Sequence, residues 1–301
     1  MTRRTAVVGV ATFLFTGGTF LAQAGKWQVL MYPDPAPGVA STYCVGMNES
    51  GDMVGYYNAP GSPSRGFLLT GGQYYSLLAP GATGSTAWGI NAAGDIVGQY
   101  GNSAVPGVTH GFLLRHNEFV TIDLEGQAMT HPRDINALGD IAGFYMTTST
   151  SPQVGFVLTR NGTVIDVQYP GATRTTVEGI NDRGDVTGLY NFGSGPTRSF
   201  VRTEDGEFTP LDHPDAYAPS NTTQAQKISA DGTVFGWYNT PSTTYPPNVS
   251  HGFVWRHGEF EQVDYPGAIR TMIHGANNQG ETCGMMGLPG VTGWRGFGHV
   301  W

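Results

Sequence analysis

The chain carries little charge. Only 13% of its 301 residues are Asp, Glu, Lys or Arg, against about 25% in an ordinary globular protein. The net charge of −8 comes with no run of Lys or Arg that could follow a line of phosphates. The composition therefore excludes a nucleic acid as the expected partner.

The chain also lacks the short motifs of the common enzyme classes. It contains no GxSxG, HExxH, CxxC or phosphate-binding loop. Acidic residues recur after Asn-Gly turns, but a calcium site needs six to eight oxygens and one carboxylate per turn is too few. We therefore interpret them as turn residues and predict neither a metal nor a cofactor; they are Asp52, Asp95, Asp140, Asp185 and Glu281.

Long hydrophobic runs are absent except at the N-terminus. Residues 1–24 have a basic start (Arg3, Arg4), an apolar stretch and small residues at Ala22 and Ala24, which is the pattern of a cleaved export signal. A membrane anchor is the rival interpretation, but Thr and Gly interrupt the run. We expect a secreted or periplasmic protein, exported by the Sec or the twin-arginine route, with residues 25–301 forming one soluble, monomeric domain without a membrane span.

Glycine and aromatic residues are abundant, and they occur in a repeat. There are 45 glycines, and the stretch GINAAGDIVGQY returns as DINALGDIAGFY and GINDRGDVTGLY. Its Asn recurs every 43 to 48 residues, with a Ser in one of six copies: Asn48, Asn91, Asn136, Asn181, Ser229 and Asn277. A period in the forties with strand-like content is typical of a β-propeller.

The two ends of the chain complete each other. Each copy reads as four short strands, the C-terminus stops after a third strand, and Trp27–Tyr32 reads as a fourth strand with no first three. Pairing Trp27–Tyr32 beside Phe297–Trp301 would remove both open edges. The sequence thus predicts an all-β, six-bladed β-propeller of four-stranded blades, closed by its N-terminal and C-terminal strands.

The repeat resembles the HAF-type extracellular repeat proteins of bacteria. Their units share G-x-N-x-x-G-x-x-x-G-x-Y, then Gly-Phe, then a strand ending Pro-Gly-Ala, and two copies here even have His before Gly-Phe, at His110 and His251. The third copy has Leu124-Glu125-Gly126 in place of Pro-Gly-Ala, the fifth lacks the Asn, and the sixth has Met286 in place of Tyr. The resemblance implies export and a propeller-like fold, and it implies no particular activity.

Two positions hardly vary between copies, and we assign them to structure. A hydroxyl at the entry to the first strand is expected to cap a loop backbone group; it belongs to Thr42, Ser85, Thr130, Thr175, Thr223 and Thr271. A Tyr at the end of the second strand is expected to pack between blades; it is Tyr57, Tyr100, Tyr145, Tyr190 and Tyr238.

Two other positions vary widely, and they predict where a ligand would bind. The long loops, one of which follows Tyr100, all lie on the face where the first strands begin, so we expect binding there. The variable residues should ring the channel mouth on that face: Val45, Trp88, Arg133, Glu178, Gln226 and His274, with Tyr43, Thr86, His131, Thr176, Gln224 and Met272 two places earlier. Convergent polar groups with an aromatic suit a ligand site; the alternative is a wet mouth that tolerates any polar residue.

Three functions remain open from these residues. The leading one is a module that binds a small molecule, glycan or surface polymer through Trp88, His131, Arg133, Glu178, Gln226 and His274. The alternative is a lyase or hydrolase in which Arg133, expected opposite His274, holds a carboxylate while His274, His131 or Glu178 moves a proton. The third is a purely structural envelope protein.

The two cysteines come together in this arrangement. Cys44 belongs to the first blade and Cys283 to the sixth, and closure makes these blades neighbours. An oxidising compartment permits a disulfide across the closure, provided that the Cα atoms lie at bonding distance. Two free thiols remain the alternative.

Overall fold

We describe a computed structural model of the chain, which covers residues 26–33, 41–58, 61–101, 108–216, 222–241 and 248–300. Within these ranges every regular element is a β-strand. No helix there is long and apolar enough to cross a membrane. The predicted export signal, residues 1–24, lies outside the described residues, as do the centres of the loops after Tyr100 and Tyr238.

The strands follow each other in units of four. Unit 1 comprises β2 (Ser41–Met47), β3 (Met53–Asn58), β4 (Arg65–Thr70) and β5 (Gln73–Leu77). Unit 2 comprises β6 (Gly84–Ile90), β7 (Ile96–Gly101), β8 (Thr109–Arg115) and β9 (Glu118–Ile122). Unit 3 comprises β10 (Met129–Ile135), β11 (Ile141–Met146), β12 (Val154–Leu158) and β13 (Val164–Val167).

The second half of the chain continues the pattern. Unit 4 comprises β14 (Arg174–Ile180), β15 (Val186–Asn191), β16 (Arg198–Arg202) and β17 (Phe208–Leu211). Unit 5 comprises β18 (Thr223–Ile228), β19 (Val234–Pro241), β20 (Asn248–Arg256) and β21 (Glu259–Val263). Unit 6 comprises β22 (Arg270–Ala276), β23 (Thr282–Gly287), β24 (Arg295–Val300) and, from the other end of the chain, β1 (Lys26–Leu30).

The expected pairing of the chain ends is confirmed. Strand β1 runs antiparallel to β24, with Trp27 opposite His299 and Val29 opposite Phe297, so the last sheet has the order β1-β24-β23-β22. The paired segment starts one residue earlier than we predicted, at Lys26, and Trp301 lies outside the described residues.

The expectation of six separate sheets is wrong in one respect. Four sheets are separate and four-stranded, but units 2 and 3 are joined into one eight-stranded sheet. The junction is a single parallel residue pair, Met129 with Thr109. It forms because β8 extends far enough for its first residue to reach the start of β10, whereas within each unit the strands are antiparallel.

The first strands of the units enclose a central channel. Each contacts the first strand of the next unit, and β22 contacts β2, so the cycle of first strands is closed. Asn side chains at their ends reinforce it: Asn48 Nδ2 donates to the carbonyl of Asn91, Asn91 to that of Asn136, Asn136 to that of Asn181, Asn181 to that of Ser229, and Asn277 to that of Asn48. Ser229 has no such amide and bonds within its own turn instead. We call this end of the channel the turn end and the opposite end the loop end.

The repeated sequence explains these units locally. The Asn91 side-chain oxygen accepts the N–H groups of Ala93 and Asp95, which holds the turn that Gly94 completes with a φ of 81°. The Phe of each third strand is buried; it follows Gly in five units and Ser199 in unit 4: Phe67, Phe112, Phe156, Phe200, Phe253 and Phe297. A glycine is required beneath it, because a Cβ on Gly98 would lie 2.7 Å from the Phe112 ring and 2.1 Å from the Thr86 carbonyl oxygen.

Both structural assignments made from the sequence are confirmed. The entry hydroxyl accepts the N–H of a residue just after the preceding fourth strand, as Thr175 does from Tyr169 and Thr223 from His213; Ser85 instead donates to the Leu77 carbonyl. In three units the repeated Tyr stacks on a ring from the same connection, for example Tyr190 on Tyr169 with centroids 3.7 Å apart. In the other two it packs within its own unit, Tyr100 on His110 and Tyr145 against Phe156.

Candidate functional site in the central channel

The six variable residues occupy a β-bulge in each first strand. The strand register shifts between Ala87 and Gly89, around Trp88, and shifts at the same place in the other units. A bulge leaves one residue unpaired and re-aims its side chain. The residues so placed are Val45, Trp88, Arg133, Glu178, Gln226 and His274.

These residues lie past the midpoint of the first strands, whereas we had placed them where those strands begin. Trp88 is the fifth of seven residues in β6, and Gln226 is 8% exposed. The bulge moves the variable position deeper along the strand than a count from its entry suggests. We call Trp88, Arg133, Glu178, Gln226 and His274 the channel cluster.

Arg133 is at the centre of the channel cluster. Its guanidinium carbon lies 3.8 Å from the Trp88 ring centroid and 5.1 Å from that of Phe144, a cation–π sandwich. Its Nε lies 3.5 Å from Oε2 of Glu178, an ion pair without a hydrogen bond. Burial lowers the pKa of Arg133, and the negative charge of Glu178 opposes this shift.

His274 pairs with Gln226 in the same cluster. His274 Nδ1 lies 3.0 Å from Gln226 Oε1. Because an amide oxygen can only accept, Nδ1 carries the proton and Nε2 has the free lone pair. Burial, and secondarily the charge of Arg133, lowers the pKa of His274 to about 3, so the ring is neutral at pH 7.

His131 lies in the layer next to the channel cluster. Its Nδ1 is 2.5 Å from Oε1 of Gln99, and its ring stacks on Phe144 with centroids 4.6 Å apart. Burial and the charge of Arg133 lower the pKa of His131 to about 4. Neither histidine therefore offers an imidazolium proton near neutral pH.

Several polar atoms around the cluster are buried and make no hydrogen bond. They are Arg133 Nε and Nη1, Thr176 Oγ1, Trp237 Nε1 and His274 Nε2. Buried polar groups are nearly always paired, and each unpaired one costs about 1–3 kcal/mol. The hydrogen-bonding capacity of these groups is therefore unused within the described structure.

Sequence reasoning missed an ion pair beside the cluster. Lys227 Nζ donates to Oδ1 of Asp134 at 2.5 Å, and the N–H of Ile180 donates to Oδ2 of Asp134. These two positions are Gly46, Gly89, Gly179 and Gly275 in the other units, where the first strands approach closely. The sequence contains a signal for this pair. Of the six copies, only those reading PRDIN and QKIS lack the glycine, and the residues that replace it, Asp134 and Lys227, have opposite charges.

A cavity of about 80 Å³ opens at the turn end, the opposite end from the predicted mouth. The Asn residues and the turns after them line it, together with Lys227. The carboxylates at its rim are engaged by backbone, since Asp182 accepts from the N–H of Ala137 and Glu49 from that of Asn278. Within the described ranges, no group of three or more His, Cys, Asp and Glu side chains is placed to hold a metal ion.

The two cysteines meet, but they are not bonded. Cys44 and Cys283 are completely buried in one apolar cluster with Leu30 and Phe67, and both are free thiols. The proximity that we predicted is present, whereas the disulfide is not. Burial, with hydrogen bonding to Cys283, raises the pKa of Cys44, so the group stays an unreactive thiol.

Comparison with known proteins identifies the fold. No protein-family model matches the sequence, and no curated sequence matches it as a relative. Solved structures do match. The N224Q mutant of the Aleuria aurantia lectin, in complex with Fucα1-6GlcNAc, matches with a TM-score of 0.53 and 10% identity over 85% of this chain and 91% of that chain. The gluconolactonase XC5397 of Xanthomonas campestris matches with a TM-score of 0.52 and 11% identity over 92% of this chain and 90% of that chain. A further structure of the same lectin, described as a six-bladed β-propeller, matches at 0.50 with 10% identity over 85% and 91%.

Proposed function

The chain is an all-β propeller, and we propose that it is a binding module that holds a small polar molecule or a saccharide in the central channel. The observation that carries the proposal is the set of unpaired polar atoms around Arg133 and His274. A folded chain gains nothing from burying them alone, whereas a ligand that pairs with them recovers the lost hydrogen bonds.

The chemistry of the channel cluster suits a polyhydroxylated ligand. Trp88 offers an apolar ring, Glu178 and Gln226 offer acceptors, and Arg133 offers donors, which is the mixture that sugar hydroxyls and ring faces require. The lectin is a neighbour solved with a disaccharide, and the gluconolactonase is described as important in glucose secondary metabolic pathways. At such low identity this likeness concerns the fold, so the side chains of this chain must support the ligand class by themselves.

Binding is favoured over acid–base catalysis by the two histidines. An acid catalyst must hold a proton near the working pH, whereas burial keeps the pKa of His274 and His131 at about 3 and 4. His274 Nε2 is then a hydrogen-bond acceptor, and His131 fixes the orientation of Gln99.

We also propose that the propeller has six blades. The eight-stranded sheet contains two antiparallel four-stranded units like the separate ones, and in the described part of the chain one residue pair joins them. The closed cycle of first strands and the lectin described as six-bladed support this count. Because residues in all six units face one axis, the count determines which cluster residues are neighbours.

The exported, monomeric form and the kinship with HAF-type proteins also belong to the proposal. Residues 1–24 support export, and the repeated G-x-N-x-x-G-x-x-x-G-x-Y supports the kinship. Mass spectrometry of the secreted protein should find a mature chain that begins after Ala24. A full-length N-terminus on exported protein would contradict the cleaved signal.

The binding proposal is tested with monosaccharides. A panel of neutral and acidic monosaccharides should raise the melting temperature of the wild type, because a ligand that binds only the native state stabilises it by mass action. Trp88→Leu should abolish the shift, whereas Trp255→Leu, which removes a ring elsewhere in the molecule, should preserve it. A wild type indifferent to the whole panel, or equal shifts in both variants, would reject a saccharide site in the channel.

A further inference from the structure

Resting on the proposed binding function, we propose that the channel ligand bears a carboxylate, which Arg133, Trp237 and Thr176 receive together. This names the chemical class of the ligand and adds two residues to the site. The carboxylate can belong to an acidic saccharide or to a small organic acid, and the probes below separate these sources.

The unpaired atoms are mostly donors. Arg133 Nε and Nη1 and Trp237 Nε1 can only donate, Thr176 Oγ1 can do either, and His274 Nε2, with its lone pair, accepts. A ligand that satisfies them must present more acceptors than donors. A neutral sugar hydroxyl brings one donor for each oxygen, whereas a carboxylate brings two oxygens and no donor.

The backbone places these donors in adjoining layers of the channel. Thr176 precedes the bulge residue Glu178 by two positions on β14, so it lies one step nearer the loop end than Glu178. Trp237 is paired with Gln224, which precedes Gln226 by two residues on β18. Thr176 and Trp237 therefore lie one step nearer the loop end than Arg133, and a ligand entering from that end meets them first.

The charges near Arg133 favour a monoanion. Its guanidinium is buried, and among the described residues the carboxylate paired with it is that of Glu178, 3.5 Å from Nε without a hydrogen bond. A second carboxylate could take the free N–H groups with the short, charge-assisted geometry that guanidinium prefers. A phosphate dianion would bring twice the charge toward Glu178, and repulsion would oppose it.

The experiment compares two molecules of nearly the same shape. Acetate and acetamide differ at one atom, where a carboxylate oxygen replaces an NH₂ group. We expect acetate, at ionic strength balanced with chloride, to raise the melting temperature of the full mature chain, and acetamide to leave it unchanged. Galacturonate and galactose repeat the comparison on a sugar, and inorganic phosphate tests the preference for a monoanion.

Variants identify the receiving groups. Arg133→Gln should weaken acetate binding at least about tenfold, the loss expected for charge-assisted hydrogen bonds. Trp237→Phe and Thr176→Val each remove one polar group at nearly constant shape and should weaken it a few-fold. The matched controls, which lie elsewhere in the molecule and should bind acetate like the wild type, are Arg202→Gln, Trp255→Phe and Thr209→Val. If Arg133→Gln fails to fold, Trp237→Phe and Thr176→Val still test whether the channel receives the carboxylate.

Each outcome has one reading. Acetate and galacturonate binding that is lost in the channel variants supports the proposal, and a much tighter galacturonate identifies the acidic saccharide as the source. Equal effects of acetate and acetamide, or acetate binding unchanged in Trp237→Phe and Thr176→Val, would overturn it. Galactose binding without any preference for the acids would overturn this inference while leaving the proposed function standing, and no binding of any probe would reject both.

Discussion

Two regions of the same channel, three residues apart along each first strand, are built on opposite principles. At the turn end, Asn48, Asn91, Asn136 and Asn181 repeat one residue, and each amide bonds its own turn and the next unit. In the channel cluster five units contribute five different residues, and buried atoms of Arg133 and His274 have no hydrogen-bond partner. Repetition with complete pairing holds the ring, whereas variation with incomplete pairing is where a ligand can gain free energy.

The largest expected effect lies between the two regions, at the Asp134–Lys227 pair. Lys227→Met leaves the Asp134 carboxylate, 2% exposed, with only the Ile180 N–H, and should lower the free energy of unfolding by about 3–5 kcal/mol. Denaturant unfolding measures it. The double variant Asp134→Asn with Lys227→Met should lose less than Lys227→Met alone; an equal or larger loss would mean that the charge left behind is not the cause.

Breaking the ring of Asn side chains at the turn end should lower the free energy of unfolding by almost as much. Asn136→Ala removes hydrogen bonds to Asp140 Oδ2, to the Asn181 carbonyl and from the Asp140 N–H, so we expect a loss of about 2–4 kcal/mol. The exposed Asn117→Gly, in a turn where φ is 63°, is the control and should change stability little. Similar small effects at both positions would show that the ring does not hold the units together.

As the pH falls, the channel cluster should lose stability before the ring of Asn residues does. His274 has its pKa lowered from 6.5 to about 3, so the unfolded chain binds more protons than the folded one and stability falls as the pH drops below 6.5. His274→Gln should reduce that loss by about 1–2 kcal/mol between pH 6.5 and about 4.5. Unfolding free energies against pH give the slope, and exposed His116→Asn should leave it as in the wild type; an unchanged slope in His274→Gln would contradict the buried neutral ring.

The ring has one incomplete junction, and completing it should stabilise the protein modestly. Ser229 bonds Asp231 and the Thr233 carbonyl and does not reach the next unit as Asn does. Ser229→Asn with Thr233→Asp restores the repeat and should add about 0.5–1.5 kcal/mol to the free energy of unfolding. The same measurement on Thr233→Asp alone separates the Asn contribution, and a double variant no more stable than that control would mean that this junction cannot close.

The smallest expected change in stability gives the sharpest test of the difference between the two regions. Trp237→Phe removes a buried N–H that has no partner, so the regained free energy offsets the lost packing and we expect a change within about 0.5 kcal/mol. Thermal unfolding of this variant beside Asn136→Ala tests the distinction directly. A loss as large as that of Asn136→Ala would mean that the Trp237 N–H is structural.

Particular residues show how much of the structure could be predicted from the sequence. The Asn spacing, the Gly-Phe motif and the complementary ends predicted the strands, the β1–β24 pairing and the meeting of Cys44 and Cys283, because register follows from period and turn position. The ion pair between Arg133 and Glu178 was not predicted, although the two residues belong to consecutive units. Which side chains meet across a channel depends on their reach and on the bulge, and neither can be counted along the chain.

The sequence alone determined the repeating scaffold, because glycine, Asn and Phe act through local backbone geometry and each copy states it again. Only the tertiary structure decided the depth of the variable residues, the Asp134–Lys227 pair, the free thiols and the unpaired donors. These depend on distances between units that are far apart in the chain, and burial, pairing and pKa arise only when those distances are set.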